Sequence, residues 1–236
     1  MTFSWWAPEL AAVESIPGWL SDVEAEFLYH TARGVDGRGA IVEIGSWKGK
    51  SAAALATGLR DAGARSLVYA IDTFEGSPEH QDSRPLDTLP EFQANIASAE
   101  VASLVRPIVS TSLAAAAQFR EPIAFLFIDG DHSYEHVRAD FDVWSPKVIP
   151  GGIIAMHDTT AWEGPKRVVR ESIYRKMRDI HLAGSITYAT NAPCTVADRL
   201  RAPWLSLMGQ LHIAGKRFPL PPSVKSVLRR LIVAAQ

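Results

Sequence analysis

The chain has 236 residues, a formal net charge of -2 and a sequence pI of about 6.4. Binding to phosphate backbones requires a strong surplus of basic residues, so nucleic acid is not expected as a partner. The single cysteine, Cys194, excludes a disulfide framework and a thiolate metal cluster, and it favours a reducing, cytoplasmic setting.

The N-terminal region contains the signal for one helix. Ser21-Asp-Val-Glu24 is a capping-box pattern, and apolar residues follow it at helical spacing, so we predict a helix over 21–33. We interpret residues 1–38 as a helical extension. The first eight residues have no basic region and no long apolar core, and no apolar run has the length of a membrane span. We therefore expect no signal peptide and no integral membrane segment.

An apolar run ends in a glycine turn between residues 41 and 51, which read Ile-Val-Glu-Ile-Gly-Ser-Trp-Lys-Gly-Lys-Ser. A helix-like segment follows at once, and a second apolar run ends in Asp72. This pattern is typical of a nucleotide-type site on an open parallel sheet, where glycines let the backbone approach the ligand and the acid binds ribose hydroxyls. A tryptophan and a lysine between Gly45 and Gly49 leave little room for a diphosphate. They suit a ligand with a ribose and an amino-acid tail, and S-adenosylmethionine is such a ligand.

Nine residues are assigned to this cofactor. The backbone at Gly45 and Ser46 is assigned to close approach, and Asp72 to the ribose. Ser51, in the first turn of the helix, can bind the cofactor's carboxylate. Ser112, at the start of a later helix, is the candidate for the adenine edge. The full set is Glu43, Gly45, Ser46, Gly49, Ser51, Asp72, Thr73, Ser112 and Asp129.

Strands and helices are predicted to alternate along the chain. The predicted strands span 40–45, 66–71, 104–109, 123–129 and 153–156. The predicted helices after the first span 50–60, 90–98, 112–119, 135–145 and 166–178. Residues 74–90 are polar, contain prolines and have no period, which favours a functional lid loop. Turns are expected at Pro150-Gly-Gly152 and, within a hairpin over 179–200, at Thr190-Asn-Ala-Pro193.

This alternation predicts an α/β fold: a doubly wound, mainly parallel sheet with an antiparallel edge hairpin and helical N- and C-terminal extensions. The C-terminal extension is assigned to residues 201–236. Apolar residues recur at helical spacing over 224–232 with basic residues between them, which predicts an amphipathic helix. Such a helix packs on its own domain or on a second subunit, so a homo-oligomer through the extensions is one expectation. Peripheral membrane contact is the alternative.

Carboxylates and imidazoles follow two buried strands. Asp129 ends one strand, with Asp131 and His132 just beyond it, and His157-Asp158 ends the next. Carboxyl ends of neighbouring parallel strands lie side by side at the ligand-binding crevice, so these side chains should converge. Converging carboxylates repel unless a positive charge lies among them, and a divalent cation is the natural occupant. Oxygen ligands favour Mg²⁺, Mn²⁺ or Ca²⁺, whereas an imidazole favours a transition metal.

Each of these residues also has a local interpretation. Asp131 could cap the helix that follows, His132 could be a surface imidazole, and Asp158 could be a turn residue. Folding gains nothing from acids crowded at one edge of a sheet. The clustering therefore favours a functional site.

Together these motifs resemble those of class I S-adenosylmethionine-dependent methyltransferases, and most of all the metal-dependent sugar O-methyltransferases of the macrocin and mycinamicin O-methyltransferase type. The resemblance runs from about residue 40 to about 160. It rests on Glu-Ile-Gly-Ser-Trp-Lys-Gly-Lys-Ser, Ile-Asp-Thr-Phe, Ile-Asp-Gly-Asp-His and Pro-Gly-Gly with His-Asp. It implies a Rossmann-like methyltransferase fold over 39–200, S-adenosylmethionine, and Mg²⁺ or Mn²⁺ on Asp129, His157 and Asp158. His157 stands where relatives carry Asp or Glu.

The resemblance also implies a reaction and its base. A methyl group would pass from the sulfonium to a hydroxyl, and a side chain two or three residues past Asp129 would take the proton. His132 is the first choice because its ordinary pKa, about 6.5, lies near working pH, and Asp131 is the second. The expected acceptor is a small molecule or oligosaccharide, with a mannose- or rhamnose-type sugar favoured and Trp162 as a flat stacking face.

Other interpretations remain open at this point. The acceptor could be a phenol or catechol. Asp129-Gly-Asp131 also fits the Asp-x-Asp pattern of metal-dependent glycosyltransferases, but the glycine turn followed by Asp72 argues against that class. A metal-dependent hydroxylase and a non-catalytic partner module are two further alternatives.

Overall fold

The computed structural model describes residues 6–35, 37–76 and 86–217. Its strands are β1 Ala40–Ile44, β2 Val68–Asp72, β3 Val105–Val109, β4 Ile123–Ile128, β5 Val148–Met156, β6 Arg178–Ala183 and β7 Ile186–Thr190. Its α-helices are α1 Ala11–Glu14, α2 Asp22–Arg33, α3 Lys50–Ala62, α4 Leu89–Ser98, α5 Ser112–Gln118, α6 Tyr134–Trp144, α7 Glu163–Val168, α8 Tyr174–Lys176 and α9 Val196–Arg217. Short 3₁₀ turns span Pro8–Leu10, Ala102–Leu104 and Ser145–Lys147, and a π-helical turn, Val169–Ile173, joins α7 to α8.

All seven strands form one sheet in the order β3-β2-β1-β4-β5-β7-β6. The first five in this order are parallel, and β7 runs antiparallel to both β5 and β6. The strand order reverses between β1 and β4, which is the position where open α/β sheets bind their ligands. The predicted doubly wound sheet with an antiparallel edge hairpin is confirmed.

Both faces of the sheet are covered. Every residue of β1 and β4 is buried, as expected for the continuous apolar runs of a parallel sheet with helices on both sides. One core contains Leu28, Leu55 and Phe92 from the helices α2, α3 and α4. The other contains Trp144 and the residues around it from α5, α6 and the segment after β5. Trp144 is therefore a core residue.

Two predicted turns are wrong. Pro150-Gly-Gly152 lies inside β5, where the partner of Ile123 is Val148 and the partner of Phe125 is already Ile153. The extra residues form a bulge, with Gly151 at a φ of 80°. The hairpin turn falls at Gly184-Ser185, because Gly184 takes the left-handed φ of 61° that a tight turn requires. The helix predicted over 166–178 covers 163–176 and contains the π-helical turn.

Three sequence predictions concern a domain boundary or residues outside the described part of the chain. Helix α9 runs continuously from residue 196 to 217 and so crosses the expected boundary at residue 200. The amphipathic pattern over 224–232 lies outside the described residues, as do residues 77–85 of the predicted lid loop. Within the described part of the chain, no helix is long and apolar enough to cross a membrane.

Candidate functional site

The carboxyl ends of β2, β1, β4 and β5 form one row. Backbone hydrogen bonds join Gly45 N to Ile71 O at 2.9 Å, Asp129 N to Ile44 O at 2.8 Å and His157 N to Ile128 O at 2.9 Å. These bonds extend the parallel ladder one residue past each strand. The polar residues that follow the strands are therefore fixed next to one another by the sheet.

The glycines of the turn after β1 allow close packing against the protein itself. Gly45 has a φ of 84°, and a Cβ on it would lie 2.2 Å from the carbonyl oxygen of Asp129. Gly49 has a φ of 88° and precedes α3, and a Cβ there would lie 2.9 Å from the ring of Phe92. Both positions are closed to other residues. The turn at Gly45 therefore packs closely on the end of β4, and the approach of its backbone to the cofactor stays a prediction.

Glu43 is fully buried beneath this turn. Its Oε2 accepts a hydrogen bond from Ser46 Oγ at 2.5 Å, and the side chain of Ser51 lies beside the carboxyl group. Burial raises the pKa of Glu43 to about 8, with further contributions from the charges of Asp129 and Asp72, against the lowering effect of the two serines. Glu43 is therefore mostly protonated at neutral pH. It acts as a neutral anchor for the turn.

Asp72 fixes the turn from the end of β2. Its Oδ2 accepts the backbone N–H groups of Ser46 at 2.7 Å and Trp47 at 2.8 Å, and its Oδ1 accepts that of Phe74 at 2.7 Å. A carboxylate has about four lone-pair directions, so this arrangement leaves room for about one further donor such as a ribose hydroxyl. Asp72 thus fixes the shape of the turn, and its contact with a ribose stays a prediction.

Two predicted cofactor residues are engaged elsewhere. Thr73 Oγ1 accepts the backbone N–H of Glu75 at 3.4 Å. Ser112 Oγ accepts the indole N–H of Trp144 at 2.8 Å. The Ser112 hydroxyl therefore belongs to contacts with α6. Its contact with an adenine edge stays a prediction.

Asp129, His157 and Asp158 converge as predicted. Each offers one ligand atom, and these three atoms lie within 4.8 Å of one another. His157 Nδ1 lies 2.9 Å from Asp129 Oδ1 and 3.3 Å from Asp158 Oδ2. The ring is buried, and neither nitrogen makes an aligned hydrogen bond to the described residues. A buried imidazole with close but unaligned acceptors fits a donor set for a cation.

The electrostatics of this cluster are dominated by burial and by mutual charge. Burial alone lowers the pKa of His157, but the neighbouring carboxylates Asp129, Asp158 and Glu24 raise it well above its ordinary value. Burial raises the pKa of Asp129. Burial raises the pKa of Asp158, but the hydrogen bond from His132 and the close imidazole of His157 outweigh it and hold that pKa below its ordinary value. Binding of a cation would displace the His157 proton, since a ligating imidazole is neutral.

The two candidate bases differ in position. His132 Nε2 lies 3.0 Å from Asp158 Oδ2, and its ring stacks on Trp162 with centroids 4.3 Å apart and planes 8° apart. Asp131 Oδ1 accepts the backbone N–H of Ser133 at 2.5 Å, and its other oxygen lies 3.3 Å from His136 Nδ1. His132 therefore contacts the cluster, whereas Asp131 is engaged at the start of α6.

Sequence reasoning missed Glu24. This buried side chain closes the capping box of α2 through Ser21 at 2.8 Å, as predicted. Its other oxygen accepts two hydrogen bonds from Ser185, both 2.7 Å, and lies 3.6 Å from His157 Nε2. Glu24 thus joins the N-terminal helix to the site. The capping box gives Glu24 a sufficient local role, and no sequence pattern indicates its contacts with Ser185 and His157.

The central part of the chain matches a known family. Residues 42–159, half of the chain, match proteins described as methyltransferase domains. The uncharacterized protein y4gI of Sinorhizobium fredii (strain NBRC 101917 / NGR234) is 27% identical over 124 residues. These are 52% of this chain and 13% of that protein, so the chain spans a small part of that relative's length.

Solved structures share the fold. The O-methyltransferase NovP is 19% identical with a TM-score of 0.64, over 73% of this chain and 81% of that chain. An O-methyltransferase from Bacillus cereus in complex with S-adenosylhomocysteine (SAH) is 19% identical with a TM-score of 0.56, over 76% and 86%. CalS11, a TDP-rhamnose 3'-O-methyltransferase of calicheamicin biosynthesis, is 18% identical with a TM-score of 0.53, over 70% and 76%. These likenesses confirm the predicted Rossmann-like methyltransferase fold.

Proposed function

The chain belongs to the family of methyltransferase domains, and from this premise we propose that it transfers a methyl group from S-adenosylmethionine to a hydroxyl oxygen. The observation that carries the proposal is the turn after β1. This turn is hydrogen-bonded to Asp72 at the end of β2 and packs on Asp129 at the end of β4. The proposed cofactor residues and the proposed metal ligands therefore lie side by side at one edge of the sheet. Structural neighbours described as O-methyltransferases, one of them bound to SAH, support the same reaction.

The proposed cofactor contacts follow the turn. Gly45, Ser46 and Gly49 supply backbone at close range, and Ser51 lies at the start of α3 for the cofactor's carboxylate. Asp72 has about one lone-pair direction left for the ribose. Glu43, Thr73, Ser112 and Asp129 complete the set, with Glu43 supporting the turn from below.

The proposed metal set is Asp129, His157 and Asp158, with Mg²⁺ or Mn²⁺ as the cation. Mg²⁺ is the first choice because the two carboxylates supply oxygen ligands, and Mn²⁺, which also accepts an imidazole, is the second. When bound, such a cation lowers the pKa of an acceptor hydroxyl and fixes its direction. The cluster geometry and the unaligned nitrogens of His157 support this assignment.

His132 is the proposed base. Its Nε2 lies 3.0 Å from Asp158 Oδ2, which places the imidazole at the cluster, and we assign uptake of the hydroxyl proton to this ring. In the reaction the new bond joins the acceptor oxygen to the methyl carbon, the carbon–sulfur bond breaks, and sulfur keeps the electron pair. Stacking on Trp162 holds the imidazole plane in place. Alignment of the two reactants removes much of the entropic barrier.

A sugar hydroxyl is the proposed acceptor, on a mannose- or rhamnose-type unit. Trp162 is 43% exposed beside the cluster and offers a flat apolar face of the kind that stacks on pyranose rings. The neighbour CalS11 is described as acting on TDP-rhamnose, which supports this class. A phenol or catechol is the alternative small-molecule acceptor. A cytoplasmic setting, and a homo-oligomer formed through the extensions by the helix predicted over 224–232, are part of the same proposal.

A two-stage experiment tests this function. Thermal unfolding is followed with SAH and with nucleotide sugars, because a ligand at 100 times its Kd stabilises the native state by about 2.7 kcal/mol. SAH should raise Tm, and stabilisation by nucleotide sugars alone would favour a glycosyltransferase. Labelled S-adenosylmethionine is then offered with rhamnosides, mannosides and catechols. Label on a glycoside oxygen supports the proposal, and label on catechols alone would redirect it to the alternative.

A further inference from the structure

Helix α9 presents an apolar face to solvent. Val196, Leu200, Trp204 and Leu207 are 75%, 76%, 49% and 46% exposed. Their spacing of four, four and three residues places them in one stripe along the helix, opposite the buried Leu205. A surface helix normally turns polar residues outward and apolar residues inward. An apolar stripe on the outer side is therefore typical of a surface that binds another protein or a membrane.

Arginines flank this stripe. A groove of about 610 Å³ between α9 and the segment 169–176 is lined by residues that include Arg170, Arg175 and Arg199. Arg170 pairs with Glu163 at 2.7 Å. Arg175 and Arg199 have no acidic partner among the residues that the structure describes. The groove thus adds uncompensated positive charge directly beside the apolar stripe.

The sequence continues this charge to its end. After Asp198 there is no aspartate or glutamate, whereas seven lysines and arginines follow. The whole chain nevertheless has a net charge of -2. Positive charge is therefore concentrated in the C-terminal part of the sequence, and four of these seven basic residues lie in α9, which carries the exposed apolar residues.

We propose that the outer face of α9, with Arg175 and Arg199, docks on an anionic lipid surface. An apolar stripe with a tryptophan can enter the boundary between headgroups and acyl chains, while arginines at its side bind headgroup phosphates. A second copy of the chain fits less well, because a two-fold interface would bring this patch against itself and oppose arginine to arginine. A nucleic acid would leave the apolar stripe without a partner.

Vesicle sedimentation of the full chain tests the proposal. One set of vesicles contains phosphatidylcholine alone, and the other contains phosphatidylcholine with phosphatidylglycerol. We expect binding to the anionic vesicles only, weakened by added salt. Arg199→Ala should lower the partition constant roughly fivefold, and the Arg175→Ala/Arg199→Ala double variant should lower it further. Leu200→Glu should lower it at least about tenfold.

Matched controls separate this surface from general effects. Arg65→Ala and Leu113→Glu alter an exposed arginine and a leucine that is 51% exposed elsewhere on the molecule, so both should bind vesicles like the wild type. Sedimentation velocity and Tm are measured for every variant, and Leu207→Glu replaces Leu200→Glu if that variant unfolds. The proposal is overturned if the wild type binds neither vesicle, if the α9 variants bind like the wild type, or if Leu200→Glu instead dissociates a dimer.

Discussion

Replacing Glu43 with glutamine should stabilise the folded chain at neutral and alkaline pH. The carboxyl group is fully buried, and its pKa lies at about 8 in place of the ordinary 4.5. Glutamine has almost the same shape and keeps a carbonyl oxygen that can accept the hydrogen bond from Ser46. The substitution therefore removes the ionisation while leaving the support of the turn in place.

The magnitude follows from linkage between protonation and folding. Because the folded pKa is raised, the carboxyl group contributes a stability that is fully present below pH 4.5 and is lost as pH rises through 8. Each unit of pKa difference corresponds to about 1.4 kcal/mol, so the loss approaches about 5 kcal/mol on the alkaline side. At pH 7 about 3 kcal/mol is already lost. Glu43→Gln should not show this loss.

Urea unfolding of both proteins at about pH 5, pH 7 and pH 9 measures the effect. The difference in unfolding free energy between Glu43→Gln and the wild type should grow steadily with pH. Glu9→Gln, at an exposed position, is the matched control and should show a constant difference. If the Glu43→Gln difference is the same at all three pH values, Glu43 is not held neutral in the folded state and the reasoning is refuted.

Further predictions concern the cluster at the ends of β4 and β5. EDTA should abolish methyl transfer but not SAH binding, and Mg²⁺ or Mn²⁺ should restore turnover; full activity of protein shown to be metal-free by elemental analysis would contradict this. Asp129→Ala should lower metal affinity, measured by calorimetry, together with kcat, because it removes a ligand. His132→Ala should lower kcat about 10²–10⁴-fold and leave metal and SAH affinities near wild type. Asp131→Ala should keep the wild-type kcat. It should lose about 1 kcal/mol of stability in urea unfolding, because it removes the hydrogen bond to Ser133. If Asp131→Ala loses kcat and His132→Ala keeps it, Asp131 is the base.

The parts of the fold predicted correctly are those determined by local pattern. The apolar runs of β1 and β4 are continuous because both faces of the sheet are covered, and this is visible in the sequence. The convergence of Asp129 and His157 follows from strand order alone, because parallel neighbours end at the same edge. The capping box at Ser21 is likewise a short-range signal.

The errors have physical reasons of two kinds. Pro150-Gly-Gly152 has the composition of a turn, but neighbouring strands continue the pairing past it and convert it into a bulge. The hairpin turn is predicted at Pro193 because proline is a strong turn signal, whereas the chain turns at Gly184. Glu24 illustrates the second kind: its contacts with Ser185 cross 161 positions of sequence. Contacts of that range depend on how the N-terminal helix docks, which no short pattern encodes.

The central claim is tested most directly by titrating the chain with SAH in a calorimeter, for the wild type, Asp72→Ala and Asp142→Ala. Asp142 is an exposed acid on α6 and serves as the matched control. The wild type and Asp142→Ala should bind one SAH with the same Kd. Asp72→Ala should bind at least about tenfold more weakly, because it loses a charge-assisted bond to the ribose and the bonds that hold the turn at Ser46 and Trp47. Absence of binding to the wild type, or an unchanged Kd for Asp72→Ala, would contradict the proposed cofactor site.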